Sequence, residues 1–266
     1  VFAADVDEDG DLDVLSASEV DHKIAWYENT DGDGDFGSQQ IISTAALDAR
    51  WVYAADADGD GDCDVFSASY DGTTSWYENT DGSGTFGAQQ VISTTTGSFA
   101  YGFVVTADID SDGDLDIYAC RYYRADADPL ALPIPTPYFD AQNGGENYLI
   151  RNEGQWRTSN ATASAGLDQT NNRFSYASIW LDFDQDGDQD LYVANDFGRN
   201  NLYRNDGGVT GAPRFTDVAM QMGMQDGAFG MAAAGADFDR DGWEDIYVAN
   251  MFSSAGSRIS RMPEFK

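Results

Sequence analysis

One nine-residue pattern, D-x-D-x-D-G-x-x-D, occurs five times in this chain and constrains it more than any other feature. The copies are Asp5, Asp7, Asp9, Asp11 and Asp13; Asp56, Asp58, Asp60, Asp62 and Asp64; Asp108, Asp110, Asp112, Asp114 and Asp116; Asp182, Asp184, Asp186, Asp188 and Asp190; and Asp237, Asp239, Asp241, Trp243 and Asp245. Carboxylates at positions 1, 3 and 5 can turn hard oxygens toward one point. Glycine at position 6 permits a sharp turn, after which the backbone carbonyl of position 7 and the carboxylate of position 9 can close a shell. Calcium takes about six to eight oxygens in a tolerant geometry, whereas magnesium holds a tight octahedron and keeps water. The pattern therefore predicts Ca²⁺ at each copy, about five ions in all. It stops at position 9, unlike the EF-hand loop, which runs on to a glutamate at position 12. Asp and Gly also populate plain solvated turns. Repetition argues against that bland reading, because each metal-free loop would crowd like charges that oppose ionisation and compact folding.

The chain has 266 residues, 42% of them hydrophobic and 13% aromatic, enough for a substantial core and too many for a disordered chain. Its 47 acidic residues outnumber 14 basic ones, for a net charge of −33. Such a surface repels phosphate backbones and anionic lipid, so neither nucleic acid nor a membrane is an expected partner. No apolar run reaches membrane-spanning length and no signal peptide is visible. The first residue is Val1 rather than methionine, so processing or truncation is expected to have removed the true start. Cys63 and Cys120 occupy different places in their repeats and are not expected to pair. The loops point to the extracellular side, where millimolar calcium fills weak sites.

The loops start 51, 52, 74 and 55 residues apart, a spacing that suits propeller blades. Residues 26–44, which open WYENTDG, return almost unchanged at 76–94. Within a unit we read a strand at Val52–Ala55, the loop, strands at Val65–Ala68 and Thr74–Glu78, and a fourth near Gln89–Ile92. Later units show Ile179–Leu181 before the loop, then Leu191–Ala194, Asn201–Asn205 and Phe215–Ala219. The expected fold is all-β: a β-propeller of four-stranded antiparallel blades, with the calcium loop between the first two strands of each. Repeats fall near 1–50, 51–100, 101–175, 176–230 and 231–266, as one propeller domain or part of one. An open arc would leave sheet edges unpaired, which favours a portion of a longer propeller.

The segment Phe229–Asp237 (FGMAAAGAD), running into Asp239, Asp241, Gly242 and Asp245, resembles the FG-GAP repeat of integrin α-subunit propellers. The units beginning at Trp26 and Trp76 resemble VCBS-type FG-GAP repeats of bacterial secreted proteins. Tyr148–Gly154 (YLIRNEG), Leu202–Gly208 (LYRNDGG) and Phe215–Ala219 (FTDVA) are similar to the cartilage acidic protein and UnbV group. The resemblance covers essentially the whole chain. It implies a secreted, calcium-stabilised propeller whose ligands fall on the five loops.

An insertion at 121–146 accounts for the long third step and carries Arg121, Tyr122, Tyr123 and Arg124, followed by a Pro-rich stretch. Long loops on rigid scaffolds often bind partners, so these four are the candidate ligand-binding residues, with a stiffened cover over an exposed face as the alternative. Trp26, Tyr27, Trp76 and Tyr77 could stack on sugars, but strand alternation sends them more simply into packing between blades. His22, the sole histidine, reads as a turn residue and supports no catalytic triad. The expected function is an extracellular binding, adhesion or surface-structural scaffold with a protein or glycan ligand and scope for further blades or subunits. A calcium-dependent polysaccharide lyase, with Tyr122, Tyr123 or Arg124 acting on an acidic sugar, is the alternative.

Overall fold

The computed structural model describes residues 1–93, 103–124, 127, 131–154, 157–208 and 212–251. Each repeat folds as an antiparallel meander in which sequence neighbours are sheet neighbours. The first sheet holds β1 (Phe2–Ala4), β2 (Asp13–Ser18), β3 (Lys23–Tyr27) and β4 (Gln40–Ser43). The second holds β5 (Ala49–Ala55), β6 (Asp64–Ser69), β7 (Thr74–Tyr77) and β8 (Gln90–Ser93), and the third β9 (Val104–Ala107), β10 (Asp116–Ala119), β11 (Tyr148–Asn152) and β12 (Thr158–Asn160). The fourth is β13 (Phe174–Leu181), β14 (Asp190–Asp196), β15 (Asn201–Asn205) and β16 (Phe215–Asp217). A two-stranded sheet, β17 (Gly230–Ala236) and β18 (Asp245–Asn250), begins the fifth; its expected remainder to residue 266 lies outside the described residues. These are the expected propeller blades.

The blades stack in chain order through their first strands, β1 on β5, β5 on β9, β9 on β13 and β13 on β17, so the first strand is innermost. Strand alternation explains where the core lies. On β10, Ile117 and Ala119 face the second blade with Phe66 and Trp76, while Tyr118, and Cys120 just past the strand, face the fourth with Leu191 and Tyr203. Apolar layers thus lie between blades. Trp26 and Tyr77 meet in one layer and Trp76 is buried in the next, so these aromatics serve packing. Both cysteines are free.

One element departs from expectation. The strand read at Phe215–Ala219 stops at Asp217, whose Oδ1 accepts from Ala219 N at 3.1 Å, and the chain turns into the short helix α1 (Ala219–Met222). Gly223 ends it in the left-handed conformation, at φ 71°. No helix among the described residues is long and apolar enough to cross a membrane.

Candidate metal centres

Each D-x-D-x-D-G-x-x-D segment joins the first strand of a blade to the second. The loops share one backbone path. Position 4 is left-handed in all five, as Glu8, Gly59, Ser111, Gln185 and Arg240, and position 6 follows with Gly φ values from 93° to 102°.

Three carboxylate-to-backbone bonds recur in every loop. Position 1 accepts from the position-6 N–H: Asp5 from Gly10 at 3.1 Å, Asp56 from Gly61 at 3.2 Å, Asp108 from Gly113 at 3.1 Å, Asp182 from Gly187 at 3.1 Å and Asp237 from Gly242 at 2.9 Å. Position 5 accepts from the position-7 N–H, as Asp9 from Asp11 at 2.9 Å and Asp241 from Trp243 at 2.9 Å, with Asp60, Asp112 and Asp186 alike. Position 9 accepts from position 2, as Asp13 from Val6 at 2.9 Å and Asp190 from Phe183 at 3.1 Å, and likewise at Asp64, Asp116 and Asp245. These bonds curl the chain so that its carboxylates converge.

The result is five groups of ligand oxygens, each within 4.8 Å of one another. Positions 1 and 3 belong to every group. Position 9 joins them in the first, fourth and fifth loops, as Asp13, Asp190 and Asp245, whereas position 5 joins in the second and third, as Asp60 and Asp112. Asp9, Asp64, Asp116, Asp186 and Asp241 flank these groups without belonging to them. Asp5 Oδ1, Asp7 Oδ1, Asp110 Oδ1 and Asp184 Oδ1 are buried, with no hydrogen-bond partner among the described residues. Buried anionic oxygens without donors are costly, and a hard divalent cation supplies what they lack. The donor set fits calcium.

Position 7 does something else with its side chain. A Cβ on Gly32 would lie 2.6 Å from an Asp11 carboxylate oxygen and one on Gly82 2.8 Å from Asp62, so these side chains pack on the turn after the third strand. Asp188 Oδ2 accepts from Gly208 N at 2.9 Å in the same way. In the first two loops the backbone carbonyl remains the group position 7 can offer to a metal, whereas in the fourth Asp188 Oδ1 is also buried with no hydrogen-bond partner among the described residues.

Sequence reading missed the residue that locks the first four loops to their blades. Asp13 Oδ1 accepts from Asn29 N at 2.7 Å, Asp64 from Asn79 at 2.7 Å, Asp116 from Asn152 at 2.8 Å and Asp190 from Asn205 at 2.8 Å. Asn79 also reaches the preceding blade, donating to Val6 O at 3.0 Å. The available signal was spacing: this Asn follows the ninth loop position by 15 or 16 residues in three blades, and by 36 where the insertion intervenes. Between the fourth and fifth loops, Asp182 N donates to Glu244 Oε2 at 3.2 Å, and Gln185 Nε2 donates to Gly242 O.

Burial dominates the electrostatics. It pushes Asp64 up to about 6, and Asp116 and Asp190 up to about 7, against the pull of their backbone donors. Burial and the Asp186 carboxylate raise Asp188 to about 6. In the third loop Arg151 Nη2 pairs with Asp110 Oδ2 and lies 3.7 Å from Asp112 Oδ2.

The insertion emerges at the opposite end of the blades, where β10 stops and β11 starts. Tyr122 is buried there; its hydroxyl donates to Asp196 Oδ2 at 2.6 Å and its ring meets Phe174 and Tyr123 edge-on. Burial and Asp196 drive its pKa well above the usual phenol range, and its ring and hydroxyl are engaged in packing. Arg121 is buried, lies over the Tyr148 ring at 5.0 Å and donates to its hydroxyl at 3.1 Å. Arg121 and Arg124 line a groove of about 260 Å³ with Gln142, Asn143, Glu146 and Tyr148. It runs beside a wider polar cleft that takes in Asn160, Asp168 and Thr170. The insertion returns against the fourth blade through Ala141 N to Phe197 O at 2.7 Å and Gly144 N to Asn172 O at 2.9 Å, and so also acts as a cover. Residues 125, 126 and 128–130 of this stretch lie outside the described residues. His22 sits in its turn at φ 57°, its Nδ1 accepting from Asp48 N at 2.9 Å.

The chain is similar to several proteins of known structure, and the first of them shares its fold. An Agrocybe aegerita lectin described as recognising non-reducing terminal N-acetylglucosamine is 17% identical, with a TM-score of 0.51 over 94% of this chain and 57% of the lectin. The V. cholerae biofilm matrix protein Bap1 is 18% identical, with a TM-score of 0.41 over 92% of this chain and 33% of its own. A Bacillus licheniformis rhamnogalacturonan lyase is 16% identical, with a TM-score of 0.43 over 90% and 48%. The chain thus spans 57% or less of the length of these proteins. No curated protein matches the sequence. The profile described as FG-GAP-like repeat matches residues 5–67, 56–119 and 182–248, more than half of the chain, and each match begins at the first aspartate of a loop. The protein belongs to the FG-GAP-like repeat family.

Proposed function

We propose that this chain is an extracellular, calcium-binding scaffold, one propeller or a portion of one, whose loops bind Ca²⁺ for stability and whose opposite end binds a glycan or protein. The observation that carries the reading is the recurrence of a carboxylate group in five loops, with buried oxygens that lack donors in the first, third and fourth of them. Positions 1, 3, 5 and 9 supply carboxylate oxygen and position 7 its carbonyl, including Trp243 in the fifth loop. Calcium supplies charge neutralisation at each cage. The backbone bonds to positions 1, 5 and 9 hold the oxygens in place around it.

For recognition, the groove beside the insertion offers guanidinium, amide and carboxylate groups suited to hydroxyl-rich or anionic sugars. The likeness to a lectin supports a glycan as the first class to test. Metal analysis of the purified protein should find about five calcium ions per chain, the loop count. A glycan array read with wild type and Arg124→Ala should then show binding that the variant loses. Absence of bound calcium would overturn the metal reading, and a positive array unaffected by Arg124→Ala would move recognition away from this groove.

A further inference from the structure

The four blades with a described third strand differ in the residue that faces the ninth loop carboxylate. Register fixes that residue. Val14 pairs with Tyr27 and Val65 with Tyr77, so the next positions set Glu28 opposite Asp13 and Glu78 opposite Asp64. Ile117 pairs with Ile150 and Leu191 with Tyr203, so Arg151 stands opposite Asp116 and Arg204 opposite Asp190. The sign of charge beside the cage therefore switches between the second and third blades.

The register thus sets a like charge beside the first two loops, as Glu28 and Glu78, and an opposite charge beside the third and fourth, as Arg151 and Arg204. Arg151 goes further, placing its guanidinium against Asp110 and Asp112, both members of the third ligand group. The Asp110 side chain is 5% exposed, and its other oxygen, Oδ1, has no hydrogen-bond partner among the described residues. Arg204 stands opposite Asp190 but binds Asp206 Oδ1 at 2.8 Å.

We propose that these facing residues divide the calcium loops into two tiers: tight sites opposed by Glu28 and Glu78, and weaker sites opposed by Arg151 and Arg204. Arg151 is the internal cation of the third loop, and calcium must displace it from Asp110 and Asp112. This rests on the reading of the loops as calcium sites. Neighbouring strands lie about 5 Å apart, and reversing a unit charge that close to a divalent ion changes affinity on the order of ten- to a hundredfold even in a water-like dielectric. The blades that carry the insertion and its groove would then be the ones that respond as calcium falls.

The test is a calorimetric calcium titration of the metal-stripped full chain. Wild type should resolve at least two affinity classes, the tight one holding no fewer than the two Glu-faced sites. Arg151→Gln should move one site from the weak class to the tight class, by about tenfold or more. Glu78→Arg should move one site the other way, which keeps the test open should Arg151→Gln fail to fold. A single affinity class in wild type, or variants that fold and leave the isotherm unchanged, would overturn the proposal while leaving calcium binding intact. No calcium binding at all would instead sink the reading on which it rests.

Discussion

Asp190 shows how one side chain serves both fold and metal. It is fully buried and accepts from Phe183 N and Asn205 N while belonging to the fourth ligand group. Asp190→Ala removes a proposed ligand and strands the buried Asn205 N–H and the partly buried Phe183 N–H, a buried group costing about 1–3 kcal/mol when unsatisfied. We expect it to lower the melting temperature with or without calcium and to abolish one binding site. Asp188→Asn should do much less, because an amide oxygen can still accept from Gly208 N and the proposed position-7 ligand is the backbone carbonyl. Equal losses for the two in melting and calcium titration would contradict these roles. Gly84 marks a different dependence: a Cβ there would lie 2.3 Å from Trp26 Cζ2, across the interface between the first two blades. Gly84→Ala should therefore destabilise by about 1–3 kcal/mol through overpacking, with the calcium stoichiometry unchanged. A variant as stable as wild type would show that this interface yields.

At the scale of the loop, the proposed calcium sites set protons and calcium in competition for the same carboxylates. Asp116 and Asp190 stand at about 7 and Asp64 at about 6 because of burial, against 3.8 for the free side chain. A folded state that holds protons more tightly than the unfolded one gains stability that is complete below about 3.8 and is lost as pH rises through about 6 to 7. In EGTA the protein should melt at a lower temperature at pH 8 than at pH 5.5. With saturating calcium the cation replaces the proton and the difference should shrink. Equal melting temperatures at the two pH values in EGTA would contradict this. The loops were legible because their residues are contiguous: the Asp spacing pointed to positions 1 and 3, which belong to every carboxylate group, and glycine marked the turn. Asn29, Asn79, Asn152 and Asn205 were not, since each acts through a backbone N–H from a strand away, and the insertion separates Asn152 from Asp116. The burial of Tyr122 was equally hidden, because its partner Asp196 lies in the next blade.

The whole molecule sets a net charge of −33 against apolar layers between thin blades. The period and alternation of the sequence disclosed the blades, while their stacking order came from contacts between first strands that no local pattern encodes. About five calcium ions would offset about ten of those charges, at the places where carboxylates are most crowded. Metal binding to the native state alone must then stabilise it by mass action. The most direct test is thermal unfolding of the full chain after verified metal removal, repeated with calcium and with magnesium restored. The account predicts a melting temperature many degrees lower in EGTA, recovered by calcium and poorly by magnesium; an unchanged melt in the metal-free protein would contradict it.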